Sequence, residues 1–320
     1  MKNLLIIIIF ITSLFSLFSC MPEPLEIDIP EGEKKIVISS QFLKDSGVVV
    51  FCSRTFSALT DNYMPEKINI DFINKAFGLH SLVLMEYEGK TDTLYNMGIG
   101  MYYNASTVVN VGQNCHLTVY DSIIDKTVYA DAAFLQNIDF DTVYVEIQIA
   151  DDTSAIVYFR ITDIPGENNY LVNHYIYEAN QNSFDFSSIL GTNPYADLLE
   201  QYIKDSGYGA ALSRFTTIGN VDNKIKLFND SNIPTTTFTD SVKFENISLN
   251  DTLAVSIANI SKEYNDYLEL RLKANTIYSQ LMSDPINMPT NINDGYGMFT
   301  THSLNIWLID LYNNRILKNN

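Results

Sequence analysis

The stretch HSLVLMEYEGKTDTLYNMGIGMYYN, residues 80–104, decides the fold class. Leu82, Leu84 and Glu86 alternate with Val83, Met85 and Tyr87, a period of two that suits a half-buried strand and no helix. Glu88-Gly89-Lys90 then supplies hairpin chemistry, and a second strand-like run follows. Outward from this stretch the same grammar repeats. CHLTVYDSIIDKTVYADAAF, residues 115–134, reads as another hairpin turning near Asp125 and Lys126. KIVISSQFLKDSGVVVFCSRTFS, residues 35–57, holds two β-rich runs flanking the turn-forming Asp45-Ser46-Gly47. Between them, ALTDNYMPEKINIDFINKAFG is less regular and reads as a loop with a short helix.

The second half opens with DTVYVEIQIA, where Val143, Val145, Ile147 and Ile149 share one face. A Pro165-Gly166 turn leads into a strand whose Tyr170, Val172, His174 and Ile176 share another. Residues 193–206, NPYADLLEQYIKDS, carry Leu198, Leu199, Tyr202 and Ile203 at helical spacing. A longer helix is expected over residues 261–281. Ser261 serves as its N-cap, Glu263 sits in the first turn, and Tyr264, Tyr267, Leu268, Leu272 and Ile277 form its apolar face.

Short strands with closely spaced turns indicate a mostly β protein. The reading is an N-terminal β-sandwich, Ig-like or transthyretin-like, over residues 34–137. A second β-rich domain with two helices follows over residues 138–320.

The chain begins with a different grammar. Lys2 precedes an apolar run from Leu4 to Phe18, the anatomy of a secretory signal peptide and short for a membrane span. SLFSCMPEPLEIDIPEGE, residues 16–33, places Cys20 where that run stops. Leu17, Ser19 and Cys20 fit the bacterial lipobox, with Phe18 bulky for that pattern. The expectation is a signal peptide over residues 1–19 and acyl chains on Cys20 that anchor the protein in a membrane. Plain secretion and an uncleaved helix are the competing readings. Residues 20–33 carry five carboxylates and three prolines, so they read as an extended tether. That segment is either a surface-export signal or a solvated linker.

The full chain of 320 residues has a net charge of −18, and no cluster of lysine and arginine supplies the phosphate contacts that nucleic acid needs. With Cys20 committed to lipid, Cys52 and Cys115 remain. A disulfide and a pair of buried free thiols are equally open.

Catalytic grammar is sparse. The sequence has no Gly-rich phosphate loop, no His-Glu-x-x-His and no Gly-x-Ser-x-Gly elbow. His80, His116, His174 and His302 are not spaced as metal ligands, and Cys115 and His116 point to opposite faces of a strand. Asp139, Asp141, Asp151 and Asp152 form the densest acidic group and read as turn residues at strand ends. No cofactor and no metal are expected. Twenty tyrosines and a single tryptophan leave tyrosine as the aromatic excess, read as core or edge strand before binding surface.

Four segments carry a resemblance. ITDIPGENNYLV (161–172), KLFNDSNI (226–233), ISKEYNDYL (260–268) and DPINMPTNINDGYGMF (284–299) resemble the Bacteroidota outer-membrane lipoproteins grouped as domain of unknown function 4249. Those proteins are often encoded beside SusC-type TonB-dependent transporters. The chain departs from the family at Leu171, where tyrosine often recurs, and at Asp294, where glycine is more usual. The closing segment reads as a structural turn motif of Asn291, Gly295, Gly297 and Phe299, with Phe299 plugging the core. No catalytic residues carry over. The resemblance implies an outer-membrane lipoprotein that partners a TonB-dependent transporter without catalysis. A free-standing structural or adhesive surface protein is the alternative, and a glycan- or peptide-acting enzyme comes third.

Overall fold

A computed structural model describes residues 33–43, 47–55, 74–148, 153–177, 225–229, 236–274 and 288–319. The N-terminal segment with Cys20, the turn at 44–46 and the helix expected at 193–206 lie outside them. In chain order the first eight strands are β1 (Ile36–Leu43), β2 (Gly47–Arg54), β3 (Ser81–Tyr87), β4 (Lys90–Thr93), β5 (Tyr95–Gly98), β6 (Met101–Asn104), β7 (Asn114–Asp121) and β8 (Lys126–Ala133). Next come β9 (Thr142–Gln148), β10 (Ser154–Thr162), β11 (Asn169–Tyr177), β12 (Ile225–Asn229), β13 (Thr237–Phe244) and β14 (Thr252–Ile260). Helix α1 (Lys262–Ala274), β15 (Tyr296–His302), β16 (Asn305–Asp310) and β17 (Arg315–Asn319) complete the order. The protein is mostly β, as the alternation demands. Among the described residues no helix is long and apolar enough to cross a membrane.

The two hairpins form as read. β3 and β4 pair from Tyr87↔Lys90 outward, with Glu88 and Gly89 both at positive φ, the geometry of a two-residue turn that matches strand twist. β7 and β8 pair from Asp121↔Lys126, and Asp125 takes the left-handed conformation in the turn.

Four sheets result. Sheet A runs β15-β1-β2-β6-β5 and sheet B runs β4-β3-β7-β8. Ile36, Ile38, Val48 and Val50 of sheet A meet Val83, Met85, Leu117 and Val119 of sheet B in one core, which makes the N-terminal β-sandwich. Sheet C, β13-β10-β9, and sheet D, β12-β11-β14-β16-β17, enclose a second core. Val157, Phe159 and Ile161 pack there against Val172, Val255 and Ile257. Tyr170, Val172 and Ile176 share that core face with His174, whose ring meets Phe244 edge-on at 5.1 Å.

A third core joins the other faces of sheets A and D. Val49, Phe51 and Met298 pack with Leu171, Ala258 and Ile260, and helix α1 adds Tyr264 and Leu268. This explains two strands that do not alternate. All of β2 is buried, and β14 is buried after its first residue, because their sheets are covered on both faces. β9 departs from the expectation in the opposite sense. Val143 is buried, but Ile147 is exposed, on the edge strand of sheet C.

The closing segment returns to the first sandwich. β15 pairs parallel with β1, from Val37↔Tyr296 to Leu43↔His302, so the chain recrosses the boundary expected near residue 137. Residues before β9 tie the second sandwich to its last strands. Asp139 accepts the Trp307 indole N–H at 2.9 Å and the Lys318 ammonium. Asp141 accepts the Thr162 hydroxyl at 2.8 Å. These are the strand-end roles expected of that acidic group; residues 151 and 152 are outside the described set.

Candidate functional site

Helix α1 starts as its sequence dictates. The Ser261 hydroxyl accepts the Tyr264 N–H at 3.2 Å, and its carbonyl accepts the first helical bond, from Asn265 N–H at 2.9 Å. Tyr264 and Leu268 are buried, and Tyr267 and Leu272 are partly so. The surprise is Arg271, also buried, one turn beyond Leu268 on the same face.

The closing motif is built around Phe299, which is 1% exposed in the first core. The Asn291 side chain imitates a neighbouring strand: its Oδ1 accepts the Phe299 N–H at 2.9 Å and its Nδ2 donates to the Phe299 carbonyl at 2.7 Å. Gly297 has φ of +103°, and a Cβ there would lie 1.8 Å from the Ile38 carbonyl oxygen, so no side chain fits. At Gly295 the φ is ordinary and crowding by the Ile36 carbonyl and Ile292 is the constraint. Asp294 sits at φ +60°, which gives the physical reason glycine suits that position and shows aspartate tolerating it.

Cys52 and Cys115 lie in the same core, and both are free thiols. Burial pushes each up to about 12, so neither forms a thiolate near neutrality. The histidines are dispersed. His116 is on the surface and contacts Asp131 at 2.7 Å. His302 is fully buried, stacked 6.2 Å from Tyr264, with neither ring nitrogen hydrogen-bonded. Burial alone pulls its pKa down to about 4.

What the residue-by-residue reading misses is a cleft of about 740 Å³ where the two sandwiches and helix α1 meet. Its first wall is the end of β8 at Asp131, Ala132 and Ala133, with Leu135 and Asn291. Its second wall is Glu167 and Asn168 ahead of β11, Asn169 at its start, and Asn229 at the end of β12. Ile260 at the end of β14, the N-cap Ser261 and Glu263, Asn265, Asp266 and Glu269 of α1 close it. Described residues from each of the four segments that carry the family resemblance therefore line one place.

Internal hydrogen bonds hold the walls. Asn168 donates to the Ile164 and Gly166 carbonyls at 2.8 and 3.0 Å, and its Oδ1 accepts from Asn259 at 3.0 Å. Asn259 also donates to the Gln136 carbonyl at 3.2 Å, which ties the connector between the sandwiches to sheet D. Asn265 donates to Glu269 at 3.1 Å, and Lys262 to Asp266 at 2.5 Å. The signal in the sequence was the polar content of the four segments themselves, which no regular spacing organises.

Two packed β-sandwiches with an amide- and carboxylate-lined cleft at their junction define a β-rich protein built around a binding-sized recess. The chain belongs to the family described as Domain of unknown function (DUF4249), whose model matches residues 22–304. No curated protein matches it. Among solved structures, the FN1–FN3 domains of chicken CNTN1 align at 11% identity and a TM-score of 0.24. That alignment covers 71% of this chain and 60% of that one. Selenomethionine-substituted chicken interferon gamma receptor alpha chain aligns at 10% identity and a TM-score of 0.18, covering 72% and 89% respectively.

Proposed function

We propose that this protein is a lipid-anchored outer-membrane lipoprotein, held through Cys20 and facing the cell surface, that acts as a non-catalytic binding partner of a SusC-type TonB-dependent transporter. The observation that carries this reading is the cleft at the sandwich junction, where described residues of the four family-like segments meet. Its lining of amides and carboxylates suits holding a ligand. A tether over residues 20–33 keeps the folded part near its partner while letting it swing, which raises effective concentration. The lipobox-like start supports the anchor, and the family resemblance supports the transporter setting.

The test is to purify the tagged lipoprotein from gently solubilised outer membranes of its native host. A TonB-dependent transporter recovered in constant ratio is the expected result. Recovery of the lipoprotein alone, with the transporter present in the same extract, overturns the partnership and favours a free-standing surface protein.

A further inference from the structure

Each sheet ends in two edge strands, whose outward N–H and C=O groups pair with a further strand unless something blocks them. Most of these edges are blocked. β5 has four residues and a register break between Asn96 and Gly98, and β4 has four residues with Lys90 and Asp92 among them. Along β15 the Asn291 amide takes both the N–H and the carbonyl of Phe299. Along β8 the Tyr129 carbonyl accepts the Asn293 N–H at 2.8 Å, and the Ala133 carbonyl accepts the Thr301 hydroxyl at 2.7 Å. β12 and β13 carry the Lys226–Asp240 ion pair at 2.8 Å, and β17 carries Arg315 and Lys318. Among the described edges β9 is the exception. It pairs with β10 alone, and its seven residues, TVYVEIQ, hold a single charge beside four β-branched side chains and a tyrosine. Ile147 is 37% exposed although it lies on the same face as the buried Val143.

We propose that β9 is a self-association edge: two copies of this chain pair β9 with β9, antiparallel about a two-fold axis at Val145, and join their three-stranded C sheets into one. The strand's own sequence selects both the occupant and the register. A two-fold axis at Val145 sets Thr142 opposite Gln148, Val143 opposite Ile147 and Tyr144 opposite Glu146, each twice over, so that all seven residues pair. Opposed residues share a face, so the exposed Ile147 gains an aliphatic neighbour. On the outer face Tyr144 is 48% exposed and stacked on Tyr158 at 4.7 Å, which orders its ring, and no described group bonds its hydroxyl. Glu146 accepts the Tyr158 hydroxyl through Oε2 at 3.1 Å and keeps Oε1 for the Tyr144 hydroxyl of the second copy. Other registers lose this match. Centring on Glu146 opposes two carboxylates, and centring on Tyr144 sets Ile147 against Asp141. An axis between residues sets core-face side chains against outer-face ones.

Disulfide trapping in the full chain carrying Cys20→Ala tests the register, because the remaining thiols, Cys52 and Cys115, are buried. Thr142→Cys and Gln148→Cys are made separately. In the paired strands these positions face each other within the roughly 4.4–6.8 Å Cα range of a disulfide, whereas each lies about 20 Å from its own equivalent. Mild oxidation of the mixture is expected to give a covalent dimer, and neither variant alone is expected to do so. Seven residues a side fall short of the roughly 20–30 of a standard interface, so the association is weak and trapping makes it visible. Ile147→Lys places on β9 the charge that guards other edges, and it is expected to abolish the trapped dimer at an unchanged melting temperature. With −18 on each copy, added salt is expected to raise the dimer yield, the reverse of a contact driven by ion pairs. No dimer from the mixture, equal dimer from a single variant, insensitivity to Ile147→Lys, or a yield that falls with salt overturns the proposal. Capture of Gln148→Cys by a different polypeptide in whole membranes, in place of the mixed dimer, assigns the edge to another partner and overturns it as well. Transporter co-purification bears on none of these results.

Discussion

At the scale of single residues, His302 exposes the energetics of the third core. Its imidazole is fully buried between Leu43 across the strand pair and Tyr264 on helix α1, with no partner for either nitrogen. On the facing helix Tyr264 stacks on the ring and is itself pushed up chiefly by burial. The histidine therefore stays neutral down to about 4, against 6.5 for an unburied one. The unfolded chain binds this proton first, so stability is lost as pH falls. The loss starts near 6.5, grows by about 1.4 kcal/mol per pH unit, and levels off near 4. Urea titrations of the native protein and of His302→Gln between pH 7 and pH 4.5 check this. The stability difference between them is expected to shift against the native protein along that slope, and parallel curves would contradict it.

Among elements, the sequence was most legible where one face is wet. Strands β3 and β7 alternate cleanly because sheet B has a solvated outer face, and the turns that follow them carry the required left-handed backbone. Alternation vanishes in β2 and β14, where both faces are covered, so sequence alone could not place them between layers. The cleft was less legible still, since its walls come from five separate stretches of the chain and no local period connects them. The same limit hid the bond between the sheets of the first sandwich. Arg54, at the end of β2, grips Asp121, at the end of β7, through Nε at 2.6 Å and Nη2 at 2.8 Å, and both side chains are essentially inaccessible. Arg54 also donates to the Asn74 carbonyl at 2.6 Å. Removing one partner strands a buried charge, so Asp121→Ala is expected to cost about 3–5 kcal/mol. Replacing both, as Arg54→Met with Asp121→Leu, is expected to recover most of that loss, because an apolar pair incurs no desolvation. Denaturant midpoints of the single and double variants measure it, and a double variant as weak as the single one would refute the account.

For the whole molecule, the decisive feature is that sheets A and D each serve two cores. β15 returns from the far end of the chain to pair with β1, while β14 lies between the second core and the third. Opening either sandwich therefore exposes apolar surface belonging to the other, and the two cannot melt independently without losing the shared layer. Two native probes report on the two halves. Cys52 and Cys115 lie in the first core, buried and un-ionised, so a thiol reagent reaches them only on unfolding. Trp307, the single tryptophan of the chain, packs on the second core and donates to Asp139. In the Cys20→Ala chain, where no other cysteine reacts, thiol labelling and tryptophan fluorescence are expected to follow one coincident urea transition. Leu268 stands in the third core and in neither sandwich core. Leu268→Ala is expected to lower stability by about 2–5 kcal/mol and to be the variant in which the two transitions separate. Native transitions that separate without any substitution would show that the shared layer does not couple the sandwiches.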